Sequence, residues 1–261
     1  MTLALSPGPI AVVAAVVAVA GAVNGVAGFG FAVVGTMALA AALDPAAAVA
    51  FMIVPMFAVN LALVSELSAA DLRSCGGRFG PLLVATLAGT VVGMAVLDRI
   101  PAAPLRLLLG LVSLGFVAAT QRAVPLPTPS LGGDEGIAGS TPVMAVVGGV
   151  SGLLFGATNV GVQLVAYLRA FDLRHGLFVG VVALVFVGVN ALRVGAAAAF
   201  GLYPDAGFVA ASVAAAVPAV AGVAVGKRLR DRVADGTRRA VVLGLLTVIG
   251  VRLALGGAGI I

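Results

Sequence analysis

Charge is what this chain is shortest of. Only 10% of its 261 residues are Asp, Glu, Lys or Arg, against about 25% in soluble domains. The run Met1–Leu43 carries none at all. A soluble surface needs charge, so the deficit excludes an ordinary soluble domain, and a mean hydropathy of +1.22 agrees. One cysteine, Cys75, excludes an internal disulfide and a cysteine-based metal site, and one histidine, His175, excludes a histidine cluster. No acid lies at the centre of an apolar run: Asp44, Glu66, Asp98, Asp172 and Asp205 all fall near run ends. Proton relays in membranes rest on such acids or on histidine, and none is visible here. His-Glu-x-x-His, Gly-x-Gly-Asp and Walker motifs are missing, and Gly28-x-Gly30 follows no strand, so it is no nucleotide fingerprint. With no nucleophile–base pair and no ligand set, the chain is expected to be neither an enzyme nor a cofactor binder. No basic residue precedes the first apolar run, so no cleaved signal peptide is expected. The net charge of +5 reads as positional charge on a membrane protein, not as a nucleic-acid footprint.

Apolar runs are what the chain has instead. A membrane pass needs about 20 apolar residues. The run 7–43 is long enough for two short passes, and Asp44-Pro45 is a turn. Passes are expected over 46–65, 79–97 and 105–121, with a polar loop at 66–78 and a short turn at 98–104. Residues 122–141, rich in Pro and Gly, read as a linker. The pattern then restarts with 142–168, followed by passes over 176–200, 206–225 and 240–255. The fold expected is all-α and polytopic. Residues 1–121 form a first repeat and 142–261 a second, each with a broken or hairpin first segment and three further helices. Counting each broken segment twice gives five crossings per half, and eight in total if the segments are re-entrant.

Both first segments are glycine-punctured. The first reads Gly21-Ala-Val-Asn-Gly-Val-Ala-Gly-Phe-Gly30, and the second runs from Gly148 to Gly161. Glycine holds a helix poorly, and a break within a membrane needs protein or water to satisfy its backbone. Aligning the breaks pairs Gly21 with Gly148, Asn24 with Ser151 and Gly25 with Gly152, an offset of 127. Asn60 and Asn190 match at 130, and Gly89-x3-Gly93-x4-Asp98-Arg99 matches Gly222-x3-Gly226-x4-Asp231-Arg232 at 133. Three blocks in one order make an internal repeat. Residues 226–239 carry Lys227, Arg228, Arg230, Arg232, Arg238 and Arg239, whereas their first-half counterpart carries only Arg99 and Arg106. Basic loops stay cytoplasmic, so unequal loading puts equivalent loops on opposite sides, as in an inverted repeat. Five crossings per half give the same inversion, with both termini outside.

Polar residues crowd the breaks: Asn24 at the first, and Ser151, Thr158, Asn159 and Gln163 at the second. An unpaired buried amide or hydroxyl costs about 1–3 kcal/mol. Half-helices that meet within the membrane offer N–H groups and positive dipole ends to an anion. The candidate binding residues are therefore Asn24, Gly25, Gly28, Phe29, Gly30, Ser151, Gly152, Gly156, Thr158, Asn159, Gly161 and Gln163. Asn60 and Asn190 either bond between helices or line the path. Arg193 either snorkels to the surface or, three residues from Asn190 on one helical face, pairs with an anion. Gly89/Gly93 and Gly222/Gly226 read as close helix packing, and Arg252 as an interfacial anchor.

The chain resembles the TauE/SafE sulfite-exporter family of permeases. The resemblance lies in Gly25-Val-Ala-Gly-Phe-Gly30, Asp44-Pro45-x3-Val49, the duplicated halves, and Gly226-Lys-Arg-Leu-Arg-Asp-Arg before the last helix. The first break here is Gly-Phe-Gly where the family usually has Gly-Gly-Gly with a nearby Pro. The resemblance implies transport of small anions, sulfite and organosulfonates among them, by a multi-pass protein of a prokaryotic plasma membrane. A passive anion channel and a non-transporting membrane subunit are the alternatives. The partners expected are a small anion and the lipid bilayer, with no nucleic acid, and a homodimer is left open.

Overall fold

A computed structural model describes residues 7–27, 30–64, 79–97, 99–120, 139–161, 164, 167–168, 171, 175–230, 232 and 235–260. Among these the chain is helical and contains no strand. The helices are α1 (Pro7–Ala27), α2 (Phe31–Ala40), α3 (Pro45–Phe51), α4 (Ile53–Val64), α5 (Gly80–Leu97), α6 (Ala102–Thr120), α7 (Thr141–Thr158), α8 (His175–Ala199), α9 (Ala206–Arg230) and α10 (Asp235–Gly257). Pro45–Ala62, Gly80–Leu97, Thr141–Thr158 and Ala206–Leu229 are each long and apolar enough to cross a membrane. The expected all-α polytopic membrane fold is therefore what the chain adopts.

The chain divides into two compact units: Met1–Val59, Asp98–Val124 and Gly201–Ile261 form the first, and Asn60–Leu97 with Pro125–Phe200 form the second. These units do not follow the sequence halves, because each takes helices from both. The linker expected at 122–141 lies almost wholly outside the described residues.

In the first unit, α1 runs through Gly21 and Gly25 without a break. Its 21 residues rise about 31 Å, the thickness of a bilayer's apolar core. Of the break expected across Gly21–Gly30, residues up to Ala27 are helical, and Gly30 is the described residue that stands outside a helix, after the end of a full-length pass and not midway along it. There Gly30 takes φ 102°, a left-handed conformation open to glycine. The chain folds back: Gly30 lies beside Val23, Gly35 beside Ala20, and the Phe31 N–H donates to Asn24 Oδ1 at 3.5 Å. The first segment is thus a hairpin with one long arm and one 10-residue arm. Asp44 then caps α3, its Oδ1 accepting from the Ala47 N–H at 3.0 Å, with Pro45 pre-set for the first helical turn.

The pass expected over 46–65 is interrupted at Met52. Pro55 has no N–H to give the Phe51 carbonyl, and its ring crowds that oxygen. The Ser212 hydroxyl of α9 donates to the Phe51 carbonyl instead, at 2.6 Å. Ser212→Ala is expected to lower stability by about 1–3 kcal/mol, because it leaves a buried carbonyl without that donor. Pro55→Ala restores the backbone donor, so the double variant should recover most of the loss. Thermal unfolding of the four proteins in detergent checks this, and equal losses with and without Pro55 would refute it.

Helix crossings explain eight further glycines. In the first unit α1 runs parallel to α9, with Gly21 against the Ala219 carbonyl, Gly25 against the Val223 carbonyl, Gly222 against Ala18 and Gly226 against Ala22. In the second unit α7 runs parallel to α5 in the same way, with Gly152 against Thr86, Gly156 against Thr90, Gly89 against Gly149 and Gly93 against Leu153. Small residues every four positions let backbones touch, as expected for Gly89/Gly93 and Gly222/Gly226. The matching contacts pair Gly21 with Gly152 and Gly25 with Gly156, and helix end Ala27 with Thr158, all 131 residues apart. The offset of 127 expected for the breaks is therefore corrected by one helical turn.

The last helices of the two halves also meet, within the first unit. Gly257 packs on Ala103 and Leu107, Gly110 on Gly250 and Ala254, and the Ser113 hydroxyl donates to the Leu246 carbonyl at 3.0 Å. Numbers rise on α6 as they fall on α10, so the pair is antiparallel. Ser113 and Leu246 are themselves 133 residues apart, the repeat offset of the late blocks.

Candidate functional site

The second unit contains a charge where none is cheap. Arg193 on α8 is 0% exposed, so the alternative that it snorkels to the surface is not what the structure adopts. Among the described residues it is the one charged side chain in the buried set. An arginine stays ionised in any protein setting, and leaving such a charge unsolvated costs several kcal/mol.

Its surroundings are built from two helices. Asn190, one turn back on α8, is also 0% exposed. Its Nδ2 donates to the Phe186 carbonyl at 2.8 Å, and its Oδ1 accepts from Arg193 NH1 at 3.4 Å. Both bonds stay within α8, so the interhelical bond expected of Asn190 is replaced by a bond to Arg193. Asn159 ends α7 in the left-handed conformation, φ 63°, with its N–H on the Phe155 carbonyl at 2.9 Å. Asn is the residue that takes this position most readily after glycine. The turn aims its amide inward, and Arg193 NH2 donates to Asn159 Oδ1. The negative end of the α7 dipole faces the same way and favours a cation, so this break presents the opposite dipole end from the one expected. The Phe155 ring lies 4.8 Å from the guanidinium carbon, a cation–π distance. Phe186 stands 5.4 Å from Phe155. A Cβ on Gly161 would come within 2.5 Å of Phe186 and 2.9 Å of Phe155, so only glycine leaves both rings in place.

The other expected site residues are distributed as follows. Thr158 is buried, bonding its hydroxyl to the Leu154 carbonyl at 2.6 Å and accepting from the Val160 N–H at 3.2 Å. Ser151 is buried on α7. Gly152 and Gly156 sit inside α7 at the α5 crossing, and Gly25 inside α1 at the α9 crossing, so none of the three lies in a break. Asn24 and Gly30 belong to the first unit, at the α1–α2 hairpin. Asn60 is half-buried on α4. Gly28, Phe29 and Gln163 lie outside the described residues. The structure thus brings together Asn159, Asn190 and Arg193, and adds Phe155 and Phe186. Sequence reading passed over those rings because a Phe in an apolar run carries no signal.

A guanidinium fork matches the paired oxygens of an oxyanion, and an oxyanion accepts more strongly than an amide. The arrangement can hand Arg193 from two amides to an incoming anion. The model of the sulfite exporter TauE/SafE family matches residues 13–253. The chain belongs to that family. No curated protein and no solved structure matches it. TauE/SafE proteins are membrane permeases, a transporter family and not an enzyme family, and the apolar helices of this member fit that description. Among TauE/SafE features expected from the resemblance, Asp44-Pro45 is seen as a capped helix start. Gly25-Val-Ala-Gly-Phe-Gly30 is seen as the end of α1 and its turn into α2, with Gly28 and Phe29 outside the described residues.

Proposed function

We propose that the protein is a secondary transporter of a small sulfur oxyanion, sulfite or an organosulfonate, in the plasma membrane of a prokaryote. The observation that carries this reading is the buried Arg193, held by Asn159, Asn190 and the face of Phe155. The helices α5, α7 and α8 contain no Asp or Glu. Binding exchanges two amide oxygens for an anion's oxygens.

Reconstituted into liposomes, the protein is expected to move sulfite or methanesulfonate down an imposed gradient. Asn159→Gly keeps the left-handed turn but removes the amide, and should reduce flux by about tenfold or more, the equivalent of one lost charge-assisted bond of about 1.5–3 kcal/mol. Unchanged flux in a folded Asn159→Gly protein defeats the site assignment. Turnover far above about 10³ per second without counterflow would instead identify a channel, and no flux of either anion a non-transporting subunit.

A further inference from the structure

We infer that Gly161 is a positioning residue for anion binding: by carrying no side chain, it lets the Phe155–Phe186 ring pair stand where it aims the guanidinium of Arg193. The inference rests on the anion-transport reading above and adds a residue that acts through others. Its basis is a spacing that occurs twice in the site, Phe155-x3-Asn159 at the end of α7 and Phe186-x3-Asn190 on α8. Each phenylalanine carbonyl holds the asparagine one turn on. The Phe155 carbonyl accepts from the Asn159 N–H at 2.9 Å, and the Phe186 carbonyl accepts from Asn190 Nδ2 at 2.8 Å. Both asparagine oxygens accept from the guanidinium. The two rings meet each other at 5.4 Å, and Phe155 meets the guanidinium carbon at 4.8 Å. The backbones of both phenylalanines are thus tied into the site, so crowding between them displaces the rings, and through Phe155 the arginine.

Gly161 is the point at which such crowding is avoided. It is buried, three residues beyond Thr158 at the end of α7. Unlike Gly30, Gly201 and Gly259, it does not take a positive φ, so its backbone does not call for glycine. An alanine in that conformation would ordinarily stabilise the chain. What forbids it is space. The glycines of the α5–α7 crossing face backbone atoms, whereas the three atoms nearest a Cβ at Gly161 are all ring carbons: Phe186 Cε1 at 2.5 Å, Phe186 Cζ at 2.8 Å and Phe155 Cδ2 at 2.9 Å. Carbon contacts settle at about 3.5–4.0 Å, so a methyl group here drives the Phe186 edge back by roughly 1 Å and Phe155 by more than about half that. Phe155 is itself buried, and a close-packed interior passes such strain on.

Concentration-dependent uptake into liposomes holding the full-length protein tests this, with sulfite or methanesulfonate, whichever the parent protein carries. Four proteins are compared: the parent, Gly161→Ala, Phe186→Leu and the double variant. Gly161→Ala should raise the half-saturating concentration about tenfold or more, the scale of one weakened charge-assisted bond, while its unfolding midpoint stays near the parent's. Leucine lacks the Cε1 and Cζ carbons and leaves Phe155 room to lean. Adding Gly161→Ala to Phe186→Leu should therefore shift half-saturation by less than about twofold. Equal losses in both backgrounds, or an unchanged half-saturation in Gly161→Ala, overturn the positioning role and leave the anion-transport reading standing. A Gly161→Ala protein that does not fold also overturns it, since the glycine would then serve packing alone. No uptake of either anion by the parent overturns both.

Discussion

Arg193→Met is expected to abolish anion flux while leaving the fold about as stable as before. The two halves of that expectation come from different terms. Replacing a buried charge by an apolar side chain of similar length relieves desolvation and is often neutral or stabilising by about 1–4 kcal/mol. Against it stands the loss of the guanidinium bonds to Asn159 and Asn190, roughly 1–3 kcal/mol. The terms nearly cancel. Flux has no such compensation, because truncating one partner of a buried charge pair removes about 2–5 kcal/mol of binding, some thirtyfold to several thousandfold. Paired measurements of thermal unfolding and sulfite uptake check this. Arg193→Lys should fall between, since an ammonium keeps the charge but not the fork. A collapse of stability with Arg193→Met would mark the arginine as scaffold; undiminished uptake would remove it from the path.

Gly152→Leu should be among the most damaging single changes in the protein. A side chain there enters the space of the Thr86 backbone carbonyl, which cannot rotate aside. Overfilling a packed contact costs about 1–3 kcal/mol even where side chains can adjust, and here two helix backbones must separate along the length of their contact. Gly149 is the control on the same helix. Nothing lies within 4 Å of its Cβ position, so Gly149→Ala should be neutral or stabilise by up to about 1 kcal/mol. The yield of monodisperse protein and its unfolding midpoint separate the two. Gly25→Leu in α1 should fail as Gly152→Leu does, since a Cβ at Gly25 meets the Val223 carbonyl and lies 2.8 Å from the Lys227 nitrogen.

The same glycines show where sequence reading stops. They recur every fourth residue, at 21 and 25 and at 148, 152 and 156, so sliding one half along the other by a turn keeps most matches. Only the contacts with Ala219, Val223, Thr86 and Thr90 choose the register. Glycine clusters were also expected to be the breaks themselves. A glycine inside a membrane helix survives when another backbone leans on it, and the left-handed residues that stand outside the helices come later, at Gly30 and Asn159. The all-helical architecture was legible because it rests on hydropathy; Asp44-Pro45 reads as a turn in the sequence, and the structure shows it as the capped start of α3. The interruption at Met52 was not read, although Pro55 stood in the sequence. Its meaning depends on Ser212, 161 residues away from Phe51. For Arg193 the sequence offered two destinations, and its distance from the helix end favoured the surface. Packing against α7 decided otherwise.

The head-to-tail meeting of α6 with α10 has an implication for ancestry. Ser113 touches the position that is its own duplicate, so the contact is close to self-complementary. A single half-length chain could form it with a second copy of itself inserted upside down. A half-length chain that inserts both ways up needs similar Lys and Arg loading at its two ends, whereas the six cations gathered between 227 and 239 favour a single orientation.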